Sequence, residues 1–221
     1  MRRIAISQRV VQTPAYPEPR DALAQDWANW LGVVVPDAAV LAVPNRPDGV
    51  DTWWSATSPE ALILSGGNDW GEAPDRDATE RRLLELAVAA NTPILAVCRG
   101  LQVVNVIRGG QIERDIAARA PENHVARDHK VDLDRSPVAA LAGASAVTVN
   151  SFHNQGVTTA GLARGFRPFA TAAGGIVEGM VHERDPILAV QWHPERPSPS
   201  AAFDAAFTRL LFSQGAFWSR P

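Results

Sequence analysis

Pro93-Ile94-Leu95-Ala96-Val97-Cys98-Arg99-Gly100-Leu101-Gln102 carries the only cysteine of a 221-residue chain. An apolar, β-leaning run ends at the thiol, and a helix-compatible stretch begins at once. A side chain on so sharp a turn is pushed out of the sheet. The N–H groups of the starting helix point at it and favour the thiolate. Strand-turn-helix elbows of this kind present nucleophiles in α/β hydrolases. The plainer alternative is a small apolar residue closing a buried strand, since free cysteine is usually buried.

The rest of the chain favours the nucleophile. Far downstream, Ile187-Leu188-Ala189-Val190-Gln191-Trp192-His193-Pro194-Glu195 reads as a buried strand running into a turn. His193 and Glu195 are two apart, so in extended backbone they project to one side. Pro194 restricts the chain between them. Glu195 can hold one imidazole nitrogen while the other faces a thiol or substrate. With Cys98 upstream, this is a candidate Cys-His-Glu triad, identified by roles and not by adjacency.

Strands and helices alternate around these two runs, which implies an α/β fold with a mostly parallel sheet covered on both faces. Strands are expected at Arg3 to Ser7, Ala39 to Val43, Ala61 to Ser65 and Ile94 to Val97. Later strands are expected at Val147 to Asn150, Arg167 to Thr171, Ile176 to His182 and Ile187 to Gln191. Helices are expected at Arg20 to Leu31, Asp75 to Ala90, from Cys98 to about Ile107, and Ser200 to Phe212. In the second helix, Leu83, Leu84, Ala87 and Val88 form the apolar stripe. Arg76-Asp77 with Glu80 reads there as helix-start electrostatics. The segment Ile112 to Val138 is polar and reads as an irregular loop near the site mouth. His124 and His129 in it read as solvated, with contact to a leaving group as the alternative, since no thiol or third ligand accompanies them nearby as a metal would need. Trp70 follows Gly66-Gly67 and is placed to wall a pocket, whereas Trp53-Trp54 read as packing. No repeat or linker divides the chain, so residues 1–221 are expected to form one domain.

A formal net charge of −3 recommends neither nucleic acid nor an anionic membrane as partner. A lone cysteine excludes an internal disulfide. The N-terminal apolar segment is too short for a signal peptide. The longest apolar stretch, Leu31 to Pro44, is broken by Pro36-Asp37 and too short to span a bilayer. A cytoplasmic location is the expectation, and a reducing compartment suits a free thiol.

Four blocks together carry a resemblance. They are Leu62-Ile63-Leu64-Ser65-Gly66-Gly67-Asn68-Asp69, Ala96 to Gln102, Val149-Asn150-Ser151-Phe152-His153-Asn154-Gln155-Gly156-Val157 and Val190 to Glu195. In this order they resemble the class I glutamine amidotransferase superfamily, in its γ-glutamyl hydrolase branch, which includes γ-glutamyl-γ-aminobutyrate hydrolases. The chain departs from that pattern at Ala96, where the family usually has glycine, and at Asn154, where relatives often carry a second histidine. Ile4 to Val10 followed by Glu18 to Leu23 resembles a narrower group, the short γ-glutamyl-CDP-amidate hydrolases of capsule phosphoramidate pathways.

The resemblance implies a flavodoxin-like three-layer sandwich and a cofactor-free, metal-free hydrolase. Cys98 is then the nucleophile, His193 the proton carrier and Glu195 its orienting carboxylate. The backbone N–H groups of Gly67 and Arg99 form the oxyanion hole. Gln102 is implied to contact the γ-glutamyl head group, with a capping or packing role as the alternative. Ser151 and His153 are implied either to contact its α-amino and α-carboxylate groups or to support their loop. The implied partner is a small γ-glutamyl amide. A homodimer stays open, and a glutaminase subunit docked on a synthase is the alternative function. A phosphate loop at Gly66-Gly67 is not expected, because no lysine follows at the required spacing.

Overall fold

A computed structural model describes residues 1–118 and 125–219. In chain order, β1 (Arg2–Ser7) is followed by a hairpin of β2 (Arg9–Gln12) and β3 (Pro19–Ala22). Next come α1 (Gln25–Val34), β4 (Ala38–Val43), α2 (Val50–Thr57), β5 (Ala61–Leu64), α3 (Pro74–Ala89), β6 (Ile94–Val97) and α4 (Arg99–Ile107). The second half runs β7 (Val125–Leu133), α5 (Pro137–Ala140), β8 (Ala146–Phe152), β9 (Val157–Thr158) and β10 (Phe166–Ala172). It closes with β11 (Ile176–His182), β12 (Ile187–Val190) and α6 (Ala201–Gln214).

The sheet order is β4-β1-β5-β6-β12-β11-β10-β7-β8, with β9 on β11. The run from β4 to β12 is parallel. From β12 onward each neighbour is antiparallel. The parallel strands β5, β6 and β12 are fully buried, as their unbroken apolar runs require. Alternation sends their side chains to two cores. Leu95 and Val97 pack with Trp27, Leu31, Phe203, Phe207 and Leu211 of α1 and α6. Ile94 and Ala96 pack with Leu83, Leu84, Leu101 and Val104 of α3 and α4. Each large apolar side chain so buried contributes about 1.5–3 kcal/mol. The result is the expected three-layer α/β sandwich.

Two expectations are corrected. The helix expected at Arg20 to Leu31 begins only at Gln25, because residues 19–22 pair with β2 in the hairpin. Asp21 also accepts from the backbone N–H and side chain of Asn45, which draws this strand away from the helix. The expected loop Ile112 to Val138 contains β7, which pairs with β8 over most of its length. His129 is correspondingly buried, not solvated. His124 lies outside the described residues. Among the described residues no helix is long and apolar enough to cross a membrane.

The start of α4 lies directly against β5. A Cβ on Gly100 would sit 2.2 Å from the carbonyl oxygen of Leu64, a backbone atom that cannot swing aside. Gly100→Ala is therefore expected to destabilise the protein by about 3 kcal/mol, near the upper end of overpacking costs. Urea denaturation measures this, and an unchanged midpoint would refute the close approach.

Candidate active site

Strand register assembles the site. Parallel pairing sets Val190 beside Val97 and Leu64 beside Ala96. The residues that follow these three strands, His193, Cys98 and Gly66, therefore emerge together at the carboxyl edge, where open α/β sheets bind ligands. Cys98 holds φ 53° and ψ −106° between β6 and α4. That conformation costs a non-glycine residue about 1–3 kcal/mol. The N–H of Cys98 donates to the Val190 carbonyl at 2.8 Å, which fixes the turn. The thiol lines a cavity of about 390 Å³ together with Gly67, Arg99, Gln102, His153 and His193.

The Nδ1–H of His193 donates to Glu195 Oε1 at 2.7 Å, and both side chains are nearly fully buried. That leaves Nε2 for Cys98. Burial opposes charging the imidazole. The negative charge of Cys98, a hydrogen bond to it, and the hydrogen bond and charge of Glu195 outweigh burial and raise the His193 pKa to about 9. The backbone here is gripped from both sides. The N–H of His193 donates to Asn150 Oδ1 at 2.9 Å, and Asn150 Nδ2 donates to the carbonyls of His193 and Pro197 at 2.9 and 3.1 Å. Asp204 on α6 accepts from Trp192 Nε1 at 2.9 Å and from the Ser198 hydroxyl at 2.7 Å. Burial raises the Asp204 pKa to about 6, against hydrogen bonds from Ser198, Trp192 and Ser200 that lower it. Neither anchor was assigned this role from sequence. A polar residue inside a buried strand, Asn150, and one on a buried helix face, Asp204, were the available signals.

Gly66 and Gly67 bring the loop after β5 against Cys98 and His193. A Cβ on Gly66 would lie 2.9 Å from His193 Cε1 and 3.6 Å from Cys98 Cβ. Gly67 has φ +111°, open to glycine, and a Cβ there would lie 2.7 Å from Arg9 Cβ. Arg76 holds this loop from below, donating through Nη2 to the carbonyls of Ser65 and Gly66 at 2.8 and 3.0 Å. Its Nε donates to Glu80 at 2.9 Å. The Arg99 guanidinium reaches back from the elbow to both Glu80 and Asp77. Arg76 and Glu80 are fully buried and Arg99 almost so. The expected helix-start electrostatics of Arg76, Asp77 and Glu80 is thus corrected. Those residues form a buried ion network, because Arg99 enters from another element and shields them from water. The first N–H groups of α4, that of Arg99 among them, have no intrahelical acceptor.

The implied substrate residues separate. Gln102 lines the cavity but donates to the Gln155 carbonyl at 3.0 Å and to Gln191 Oε1 at 3.3 Å. His153 also lines it, with Nδ1 3.0 Å from the Gln155 carbonyl and Nε2 3.6 Å from Glu178. Glu178 is buried and also lies 3.4 Å from His129 Nε2. Ser151 is fully buried and is not part of the cavity wall. Trp70 is not part of it either; the Arg81 guanidinium lies 5.8 Å from its ring. Arg9, Arg196 and Gln155, to which sequence reading gave no individual role, also line the cavity. Gln155 donates to Asp69 across the cavity mouth.

Residues 33–195 match the family model for peptidase C26. A putative glutamine amidotransferase of Schizosaccharomyces pombe, PB2B2.05, is 31% identical over 62% of this chain, and the match spans 62% of its own length, less than two thirds. The γ-glutamyl-γ-aminobutyrate hydrolase PuuD of Escherichia coli is 30% identical over 84% of this chain and 79% of its own. A γ-glutamyl-CDP-amidate hydrolase of Campylobacter jejuni is 26% identical over 87% and 90%. Among solved structures, the glutaminase domain of Trypanosoma brucei CTPS superposes with a TM-score of 0.70 at 16% identity, over 99% of this chain and 96% of that one. This last likeness is one of fold.

Proposed function

The chain belongs to the peptidase C26 family, and from that premise we propose that it hydrolyses a γ-glutamyl amide through a thioester on Cys98. One observation carries the proposal: a strained cysteine on a strand-helix elbow shares a polar cavity with a carboxylate-bound imidazole. The Cys98 thiolate attacks the amide carbon, and the carbonyl becomes an oxyanion held by the N–H groups of Gly67 and Arg99. One such donor contributes about 3–4 kcal/mol to the barrier. As the C–N bond breaks, His193 gives its Nε2 proton to the leaving nitrogen. It then takes a proton from water, whose oxygen attacks the thioester carbon. Glutamate leaves and the thiolate returns. Glu195 orients the ring and stabilises its charged form throughout. The candidate substrates are a γ-glutamyl-aminobutyrate and a γ-glutamyl-CDP-amidate, the classes that the names of relatives print, and a γ-glutamyl amine.

Glutamate release by the purified chain alone, measured over these conjugates and L-glutamine, tests the reading. Cleavage of at least one conjugate much faster than glutamine is expected. Release from glutamine alone, or only after a synthase is added, would reassign the chain as a glutaminase subunit.

A further inference from the structure

The peptide between Gly66 and Gly67 is the softest point of the site wall. Neither flanking residue has a side chain to oppose rotation of its plane, and Gly67 sits at φ +111°. Yet the plane is gripped from one side. Arg76 Nη2 donates to the Gly66 carbonyl at 3.0 Å and to the Ser65 carbonyl at 2.8 Å. The peptide is trans, so its N–H points opposite to its carbonyl. Arg76 is fully buried and is not part of the cavity wall, whereas Gly67 is. A grip on the carbonyl from the buried side therefore turns the Gly67 N–H towards the cavity. Among the described residues no backbone carbonyl accepts from that N–H, nor from the N–H of Arg99 at the elbow. A Gly66 Cβ would lie 3.6 Å from Cys98 Cβ, so both donors adjoin the thiol.

We infer that Arg76 is the positioning residue of the oxyanion hole: it fixes the direction of the Gly66–Gly67 peptide, and with it one of the two donors. This inference rests on the γ-glutamyl hydrolase reading above. Were the plane to turn over, the Gly66 carbonyl would face the oxygen that gains charge in the transition state, and a stabilising dipole would become a repelling one. Arg76 itself stays behind the wall and acts through the backbone. Its own aim is set by Glu80, whose Oε1 accepts from Arg76 Nε at 2.9 Å, and by Asn68, whose Oδ1 accepts from Nη1 at 3.2 Å. Glu80 Oε2 accepts from the Arg99 guanidinium. One carboxylate thus braces the segments that carry both donors, the loop after β5 through Arg76 and the elbow through Arg99. The guanidinium fork is needed for this, because one planar head serves a carboxylate on one edge and two carbonyls on another. Lysine brings the same charge on a single nitrogen and cannot span them.

The test is Arg76→Lys in the full chain, which keeps the charge of the network and removes the fork. For the amide that the wild type cleaves best, kcat is expected to fall about 10²-fold, the lower end of the loss seen when one oxyanion donor is removed. KM is expected to change little, since the lost interaction exists only in the transition state. Alkylation of Cys98 by iodoacetamide separates this from a collapsed site. There the thiolate attacks the methylene carbon, iodide leaves with the bonding pair and no oxyanion forms, so the rate is expected to match the wild type. Unchanged kcat in the folded variant would overturn the inference and leave the hydrolase reading standing. Equal losses of turnover and alkylation would do the same, making Arg76 a structural residue only. A second measurement needs no variant. Glutaric semialdehyde forms a hemithioacetal on wild-type Cys98, the sulfur adding to the aldehyde carbon and the aldehyde oxygen taking the oxyanion's place. The amide protons of ¹⁵N-labelled Gly67 and Arg99 are both expected to move downfield. A Gly67 proton that stays in place while that of Arg99 moves overturns the inference, whether or not Arg76→Lys folds. No glutamate from any amide with the wild type would overturn the hydrolase reading and the inference with it.

Discussion

Replacing Cys98 with alanine is expected to leave a folded protein whose γ-glutamyl hydrolysis falls by about 10⁵–10⁶-fold, the scale seen when a covalent nucleophile is deleted. The fold should survive because the substitution removes one sulfur from a side chain at a cavity wall and leaves the strand register untouched. The same change has an electrical readout. Cys98 supplies both the largest attraction and a hydrogen bond that raise the His193 pKa to about 9 against the effect of burial. Without it, the imidazole is expected to titrate well below that value, as NMR of its ring protons would report. A folded-state pKa raised above its ordinary 6.5 means that His193 contributes stability below pH 6.5, lost as pH climbs through about 9. Near-full activity in Cys98→Ala would remove the nucleophile assignment. An unmoved His193 titration would remove the coupling.

Glu80→Gln is expected to destabilise the protein by about 3–5 kcal/mol, the cost of removing one member of a buried ion group and leaving its partners uncompensated. Arg76 and Arg99 would keep their charges with only Asp77 to balance them. Burial alone would push the Glu80 carboxyl up. The nearby Arg76 and Arg99 charges outweigh that and hold it below its ordinary value of 4.5. Its contribution is thus present above pH 4.5 and lost as the pH falls through the lower folded value. Wild type and variant should differ most at neutral pH and converge in acid, as urea denaturation at several pH values would show. Activity should fall as well, because the same network holds the Gly66 carbonyl and the elbow arginine. A loss below 1 kcal/mol at neutral pH would mean that the network is replaceable by neutral hydrogen bonds.

The sheet edge and the meeting of Cys98, His193 and Glu195 at it were legible because their signals are local. Unbroken apolar runs marked β5, β6 and β12, and the His-Pro-Glu spacing placed Glu195 within 2.7 Å of the imidazole. What escaped depends on contacts between distant segments. Residues 19–22 are polar and lack alternation, so nothing local shows that they pair with β2. In β7 the buried face carries His129, which hides an otherwise alternating strand among charges. Arg76 and Glu80 look like an ordinary surface pair at i and i+4 until Arg99 arrives from α4. Gln102 faces the cavity as expected, but its donors are spent on Gln155 and Gln191.

The hairpin of β2 and β3 contributes no strand to the main sheet. It is fastened by Asn68, which accepts from the Val10 N–H at 2.8 Å and donates to the Val10 carbonyl at 2.9 Å, and by the Asp21–Asn45 contacts. Arg9 therefore rides on a ribbon outside the main sheet, whose register alone places Cys98 and His193. A change of sequence in this ribbon can reshape one wall of the cavity without touching the strands that carry Cys98 and His193, much as a lock is rekeyed without recasting its body.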